Sequence, residues 1–170
     1  FVYASSPDRG LVALLELWPK IRARLPNADL HIFYGWRGCE RLGSTNIAGW
    51  KQRYEGVRRQ IEALRDQPGI LFHGLVNHRD VAESLLQAGV WTYPCYEFDE
   101  TCCTAALEAR AAGVVPVCPP RAALAETAVC DQAQIVGLKR DDEEFVEACV
   151  RATQVNAAAR REMSYVVLRD

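Results

Sequence analysis

The stretch FDETCCTAALEARAAGVVPV, residues 98–117, decides the fold. An acidic lead-in gives way at Thr101 to small residues and a single leucine, a run that predicts a helix from Thr101 to Ala112. Gly113 ends it, because glycine enters the left-handed backbone of a helix stop without strain. Val114 to Cys118 then reads as a fully apolar strand. A buried strand directly after a helix is the repeating unit of a parallel sheet, whose strands need a crossover to return to the same end.

The alternation extends in both directions. Phe1 to Ser5 is strand-like, and Ser6 with Pro7 predicts the cap and first position of a helix carrying Leu11, Leu14, Leu15, Trp18 and Ile21. Pro19 is expected to bend or split that helix. Asp29 to Tyr34 is a second strand, and the Gly-containing polar run over 35–49 is a loop. Trp50, Tyr54, Val57, Ile61 and Leu64 recur at helical spacing with charges between them. Ile70 to His73 is strand, Asn77 caps a helix ending near Gln87, and Val90 to Tyr93 is strand again. Beyond residue 118 a short helix (Arg121 to Thr127) and a sixth strand (Ala133 to Val136) precede a mostly helical remainder. The pattern specifies an α/β domain, a doubly wound, Rossmann-like parallel sheet of about six strands with helices on both faces. Ligands of such sheets bind at the carboxyl ends of strands, so the loops after Ser5, Tyr34, His73, Tyr93 and Cys118 carry the function.

With 170 residues and 49% hydrophobic content the chain is long enough for one domain with a real core. A formal charge of −2 gives no broad basic face for nucleic acid, so any anion site is local. The apolar runs are strand-sized, and the expectation is a soluble, cytoplasmic protein. Phe1 already lies in an apparent strand, which suggests a piece of a longer protein. The seven cysteines are odd in number and lack Cys-x-x-Cys spacing, which favours buried thiols over zinc or disulfides.

Neither Gly-x-Gly-x-x-Gly nor an acid closing the second strand is present, which argues against nicotinamide or flavin chemistry. No Walker lysine loop and no Asp-x-Asp occur. What the chain does offer is Glu100 and Glu108, bracketing seven residues at a helix start. Backbone N–H groups at such a start hold phosphate, and a carboxylate on either side can take hydroxyls. Eight helical residues cover roughly 12 Å, about the distance from hexose to ribose in a nucleoside diphosphate sugar. Arg9, just past the first strand, can reach a phosphate over the sheet. Cys102 and Cys103 share the helix start, where the N–H array would stabilise a thiolate toward alkylating agents; neither has a histidine partner that would make it a nucleophile. His73 and His78 read as packing or loop residues.

Glu100, seven residues, Glu108 and then ARAAGVVPV, preceded in order by Arg9-Gly10, Tyr34-Gly35, His73-Gly74 and YPCYEFDET, resembles the C-terminal, donor-binding domain of GT-B, GT4-type retaining glycosyltransferases, over nearly the whole chain. The resemblance implies that residues 1–170 are a single nucleotide-sugar-binding domain, the C-terminal half of a two-domain enzyme whose N-terminal acceptor domain is absent. It implies a nucleotide diphosphate sugar as donor, no metal or other cofactor, and no activity from this fragment alone. An acceptor saccharide, lipid or other molecule would be reached through the missing domain, with room for peripheral membrane association of the full-length protein. By the same resemblance Glu100 and Arg9 are the catalytic candidates, Glu100 touching the transferred sugar and Arg9 offsetting charge on the leaving diphosphate. The backbone of Thr101, Cys102 and Cys103 would meet sugar and diphosphate, Glu108 the ribose, and the backbone near Val76 the nucleobase. Gly35 would allow close approach of its loop. The chain departs from the family in two places. Ala4 stands where many members have arginine, and Cys118-Pro119-Pro120-Arg121 replaces a Gly-rich loop, so that either Arg121 compensates or the donor sits differently. A sugar-nucleotide epimerase of the same architecture, or a non-catalytic nucleotide-sugar-binding or assembly domain, are the alternatives.

Overall fold

Six strands, β1 (Val2–Ala4), β2 (Leu30–Phe33), β3 (Ile70–Gly74), β4 (Val90–Thr92), β5 (Val115–Cys118) and β6 (Gln134–Ile135), form one sheet in the order β3-β2-β1-β4-β5-β6. Every neighbouring pair is parallel. The computed structural model describes residues 1–36 and 49–167, so most of the loop expected over 35–49 lies outside the described residues. The helices are α1 (Leu11–Arg24), α2 (Trp50–Leu64), α3 (His78–Gln87), α4 (Thr104–Ala111), α5 (Leu124–Thr127), α6 (Asp142–Thr153) and α7 (Ala157–Val167). Helix α1 packs on α2 and α6, while α4 packs on α3, α5 and α7, so the two groups cover opposite faces of the sheet.

Strand order reverses between β1 and β4, and the crevice of a doubly wound sheet opens at that point. The core beneath it is aromatic. Tyr3, Trp18, Trp91, Tyr93 and Phe145 are all fully buried, with Tyr93 stacked between Tyr3 at 5.9 Å and Trp91 at 5.0 Å. Phe145 belongs to α6, whose start is fixed by the Asp141 carboxylate accepting from the N–H groups of Glu143 and Glu144.

Three helix boundaries depart from the sequence expectation, each for a local reason. Helix α1 begins at Leu11, not after Ser6, because the Tyr3 hydroxyl bonds the carbonyls of Ser6 at 2.7 Å and Arg9 at 2.9 Å and holds residues 6–9 as a turn. Gly10 then enters the helix at φ 86°, with its Cα so close to the next loop that a Cβ would lie 2.5 Å from the Pro94 carbonyl oxygen. Helix α1 is also not split at Pro19. The carbonyl that proline leaves without a donor is that of Leu15, four residues back, and the Gln67 side-chain amide donates to it at 3.0 Å. Helix α4 starts at Thr104, three residues later than expected, since residues 101–103 run as a loop anchored by the Ala123 N–H donating to the Glu100 carbonyl at 3.0 Å. Helix α5 likewise starts at Leu124, not Arg121. The expected cap of α3 is in place, with Asn77 Oδ1 accepting from the Asp80 N–H at 2.9 Å.

Candidate functional site

The site is assembled from the loop after β1, the end of β2, the loop after β3 and the segment from β4 into α4. At the switch point Arg9 Nη1 lies 3.1 Å from both carboxylate oxygens of Glu100. The Arg9 guanidinium also sits 4.1 Å over the Phe98 ring. Burial weighs against the Arg9 charge, but Glu100, with Tyr93 and Asp8, together outweighs it, and the Arg9 pKa is raised. Glu100 is only 6% exposed, and its other partner is the Tyr93 hydroxyl, which donates to Oε1. Tyr93 is in turn 3.2 Å from Ser5 Oγ.

A cleft of about 420 Å³ opens over this pair, walled by Ser5, Arg9, Tyr34, Glu100, Cys102 and Cys103. Ala4, Tyr34, Thr104 and Ala105 line both it and a second hollow of about 220 Å³ that contains Val76, His78 and Glu108. The two clefts are therefore one crevice, running across the start of α4 from the ion pair to Glu108. Among the described residues the N–H groups of Thr101, Cys102 and Cys103 donate no hydrogen bond, so they remain available to an anion. Another cleft, about 530 Å³, lies behind residues 94–98 and contains none of the expected site residues. Its Arg140 is already paired with Glu16 and Asp142.

The sequence-predicted residues distribute unevenly around this crevice. Arg9, Glu100, Cys102 and Cys103 line its first half, and Val76 and Glu108 its second. Thr101 is exposed and lines neither half. Gly35 faces a neighbouring hollow, where a Cβ would come 3.0 Å from that of Leu75; its smallness serves packing between the loops after β2 and β3. Arg121 does not replace the cation missing at Ala4, because its Nε lies 2.7 Å from Asp99 Oδ1 and it lines neither half. Cys103 is buried, which pushes its thiol up to about 11 and overturns the expected thiolate stabilisation there. The interval from Glu100 to Glu108 is part loop and part helix, so the helical rise does not measure it.

Two contributors escaped the sequence reading. Tyr93 was legible only as a strand residue. Tyr34 directly follows β2 at φ 143°, a backbone conformation rarely adopted outside glycine, with its N–H on the Gly74 carbonyl at 2.9 Å and its side chain lining both halves of the crevice. Its place at a strand end pointing into the switch point is the signal that could have found it.

Residues 1–165 match the family described as glycosyl transferases group 1. The chain belongs to that family. Solved structures similar to this glycosyl transferases group 1 domain include α,α-trehalose 6-phosphate synthase from Burkholderia multivorans, at 18% identity over 99% of this chain and 37% of that one, TM-score 0.70. Anabaena Alr3699/HepE in complex with UDP-glucose follows at 15% identity over 99% of this chain and 44% of that one, TM-score 0.68. A TarM variant from S. aureus in complex with UDP and other ligands is 9% identical over 98% of this chain and 30% of that one, TM-score 0.68. The chain thus spans well under half the length of these proteins, and at such identities the likeness is one of fold. No curated protein matches the chain. Among the described residues no three His, Cys, Asp or Glu side chains gather as a metal site, and no helix is long and apolar enough to cross a membrane.

Proposed function

We propose that this domain binds the nucleotide diphosphate sugar donor of a retaining, GT4-type glycosyltransferase, and that a further, acceptor-binding domain of the full-length protein completes the catalytic centre. The observation that carries this reading is the continuous crevice from the Arg9–Glu100 pair, past the free N–H groups before α4, to Glu108. Family membership and the UDP-glucose and UDP in the Anabaena and S. aureus structures support it.

In this reading the diphosphate lies against the N–H groups of Cys102 and Cys103 and the positive end of α4, whose dipole favours anions at its start. Arg9 stands at the sugar end, where negative charge grows on the leaving diphosphate as the sugar departs, and a fixed cation there lowers the barrier. Glu100 accepts hydroxyls of the transferred sugar. Glu108, exposed one turn into α4, accepts the ribose hydroxyls, and the backbone around Val76 meets the base. No metal is assigned a role, because Arg9 and the N–H groups supply the positive field. The full-length enzyme acts in the cytoplasm on an acceptor brought by the other domain.

Calorimetry with UDP-, GDP- and ADP-sugars tests the reading. One member of the panel should bind, with affinity lowered about tenfold by Glu108→Ala through loss of a charge-assisted hydrogen bond. Arg9→Ala should weaken it as well. If no nucleotide binds up to about millimolar concentration, where binding free energy falls to about −4 kcal/mol, the reading fails.

A further inference from the structure

Tyr93 follows β4 directly, and its N–H continues the sheet by donating to the Val117 carbonyl at 2.9 Å. Its ring is fully buried and clamped between Tyr3 and Trp91, so the hydroxyl has one place to be. That place is against Glu100 Oε1 on one side and, at 3.2 Å, Ser5 Oγ on the other. The direction of each bond follows from proton inventory. An ionised carboxylate only accepts, so the single phenolic proton goes to Glu100, and Ser5 must donate its own proton to the Tyr93 oxygen. Burial pushes the phenol far above its ordinary pKa, which keeps that proton in place.

The resulting chain runs from Ser5 to Tyr93 to Glu100, and Arg9 meets the same carboxylate. Oε1 is engaged by both Tyr93 and Arg9, whereas Oε2 is engaged by Arg9 alone and keeps acceptor capacity. Ser5 Oγ, its proton engaged with Tyr93, belongs to a residue lining the same cleft and keeps acceptor capacity.

We propose that Tyr93 is a positioning residue, whose hydroxyl fixes Glu100 and Ser5 as a pair of acceptors for hydroxyl groups of the donor's sugar. The inference rests on the donor-site reading above and deepens it. It places sugar recognition in Tyr93, Ser5 and Glu100, separate from the N–H groups and Glu108 that hold the nucleotide. The consequence is that loss of the Tyr93 hydroxyl changes affinity for the sugar and leaves affinity for the nucleotide alone.

The experiment compares two ligands by calorimetry, a nucleoside diphosphate and the corresponding nucleoside diphosphate sugar, on wild type and Tyr93→Phe. The phenylalanine keeps the ring and its stacking. In the variant, the Kd of the bare diphosphate should stay within about twofold, while preference for the sugar form falls about tenfold, as expected for a hydrogen bond to a charged group. An unchanged preference, or an equal loss for both ligands, overturns the proposal. If wild type binds neither ligand, the donor-site reading falls and this inference with it. Should Tyr93→Phe lose its cooperative unfolding transition, Ser5→Ala serves in its place. Its sugar preference then falls at least about threefold, or the positioning role is wrong.

Discussion

Arg9 and Glu100, 91 residues apart in sequence, share a guanidinium–carboxylate contact in which one nitrogen serves both oxygens at 3.1 Å. Each side chain is the other's charge partner, so removing either leaves the other uncompensated. Glu100 is the more vulnerable, being nearly enclosed while Arg9 is about one-third exposed.

Breaking this pair should be asymmetric. Arg9→Ala leaves a buried carboxylate with only Tyr93 and should cost about 1–2 kcal/mol of stability, reduced by the solvent that reaches Arg9. Glu100→Gln should cost less, and the double variant less than the sum of the two. Urea unfolding of the four proteins measures the coupling; strict additivity would show that the pair contributes nothing as a pair.

The neighbouring cysteines should differ in reactivity despite adjacent positions. Cys102 is exposed, whereas the Cys103 thiol is buried and pushed up to about 11, leaving roughly one part in a thousand as thiolate at pH 8. Mass spectrometry after brief treatment with iodoacetamide should find Cys102 modified first, and bound nucleotide should protect it. Equal labelling of the two thiols would contradict the burial argument.

Gln67 and Pro19 should be energetically linked through a third residue, Leu15. Gln67→Ala should cost about 1 kcal/mol in the wild type, where it removes the side-chain donor that stands in for the missing Pro19 N–H at the Leu15 carbonyl. In a Pro19→Ala background the restored backbone N–H can take over, so the same change should be nearly neutral. Equal costs in the two backgrounds, read from thermal or urea unfolding, would rule out the substitution of one donor for the other.

His31 should make the fold sensitive to acid. Its pKa is lowered from 6.5, first by burial and then by His73, whose Nε2 is 3.0 Å from His31 Nδ1, with Asp29 opposing. Because the folded state resists protonation more than the unfolded state, the stabilising contribution is complete above about 6.5 and is lost as pH falls through the lowered value. Unfolding free energies measured from pH 8 to 5 should decline more steeply in wild type than in His31→Gln. Parallel curves would assign the acid sensitivity elsewhere.

The sheet was legible because strands apolar on both faces, such as Val114–Cys118, cannot be placed anywhere but in the middle of a covered sheet. Helix starts were less so. Ser6-Pro7 has the composition of a cap, but a tyrosine hydroxyl from three residues upstream competes for the same backbone, and no local pattern encodes that competition. Around the crevice, Arg9, Glu100 and Glu108 could be named from residue type and position. Their mutual geometry could not, since the contact between Arg9 and Glu100 exists only after β1 and β4 become neighbours. Tyr93 and Tyr34 were hidden for the same reason: an aromatic residue at a strand end looks like core until the topology shows what it faces.

Gly10 tucked beneath the Pro94 carbonyl has a bearing on the proposed donor site beyond local packing. The turn carrying Arg9 and the segment leading to Glu100 meet there as bare backbone, with no side chain between them to flex. Cation and carboxylate are thus mounted on a common rigid frame before any ligand arrives. Under the proposed donor-site reading, a donor that enters would find its electrostatic surroundings already oriented, with little reorganisation left for the moment when charge begins to move.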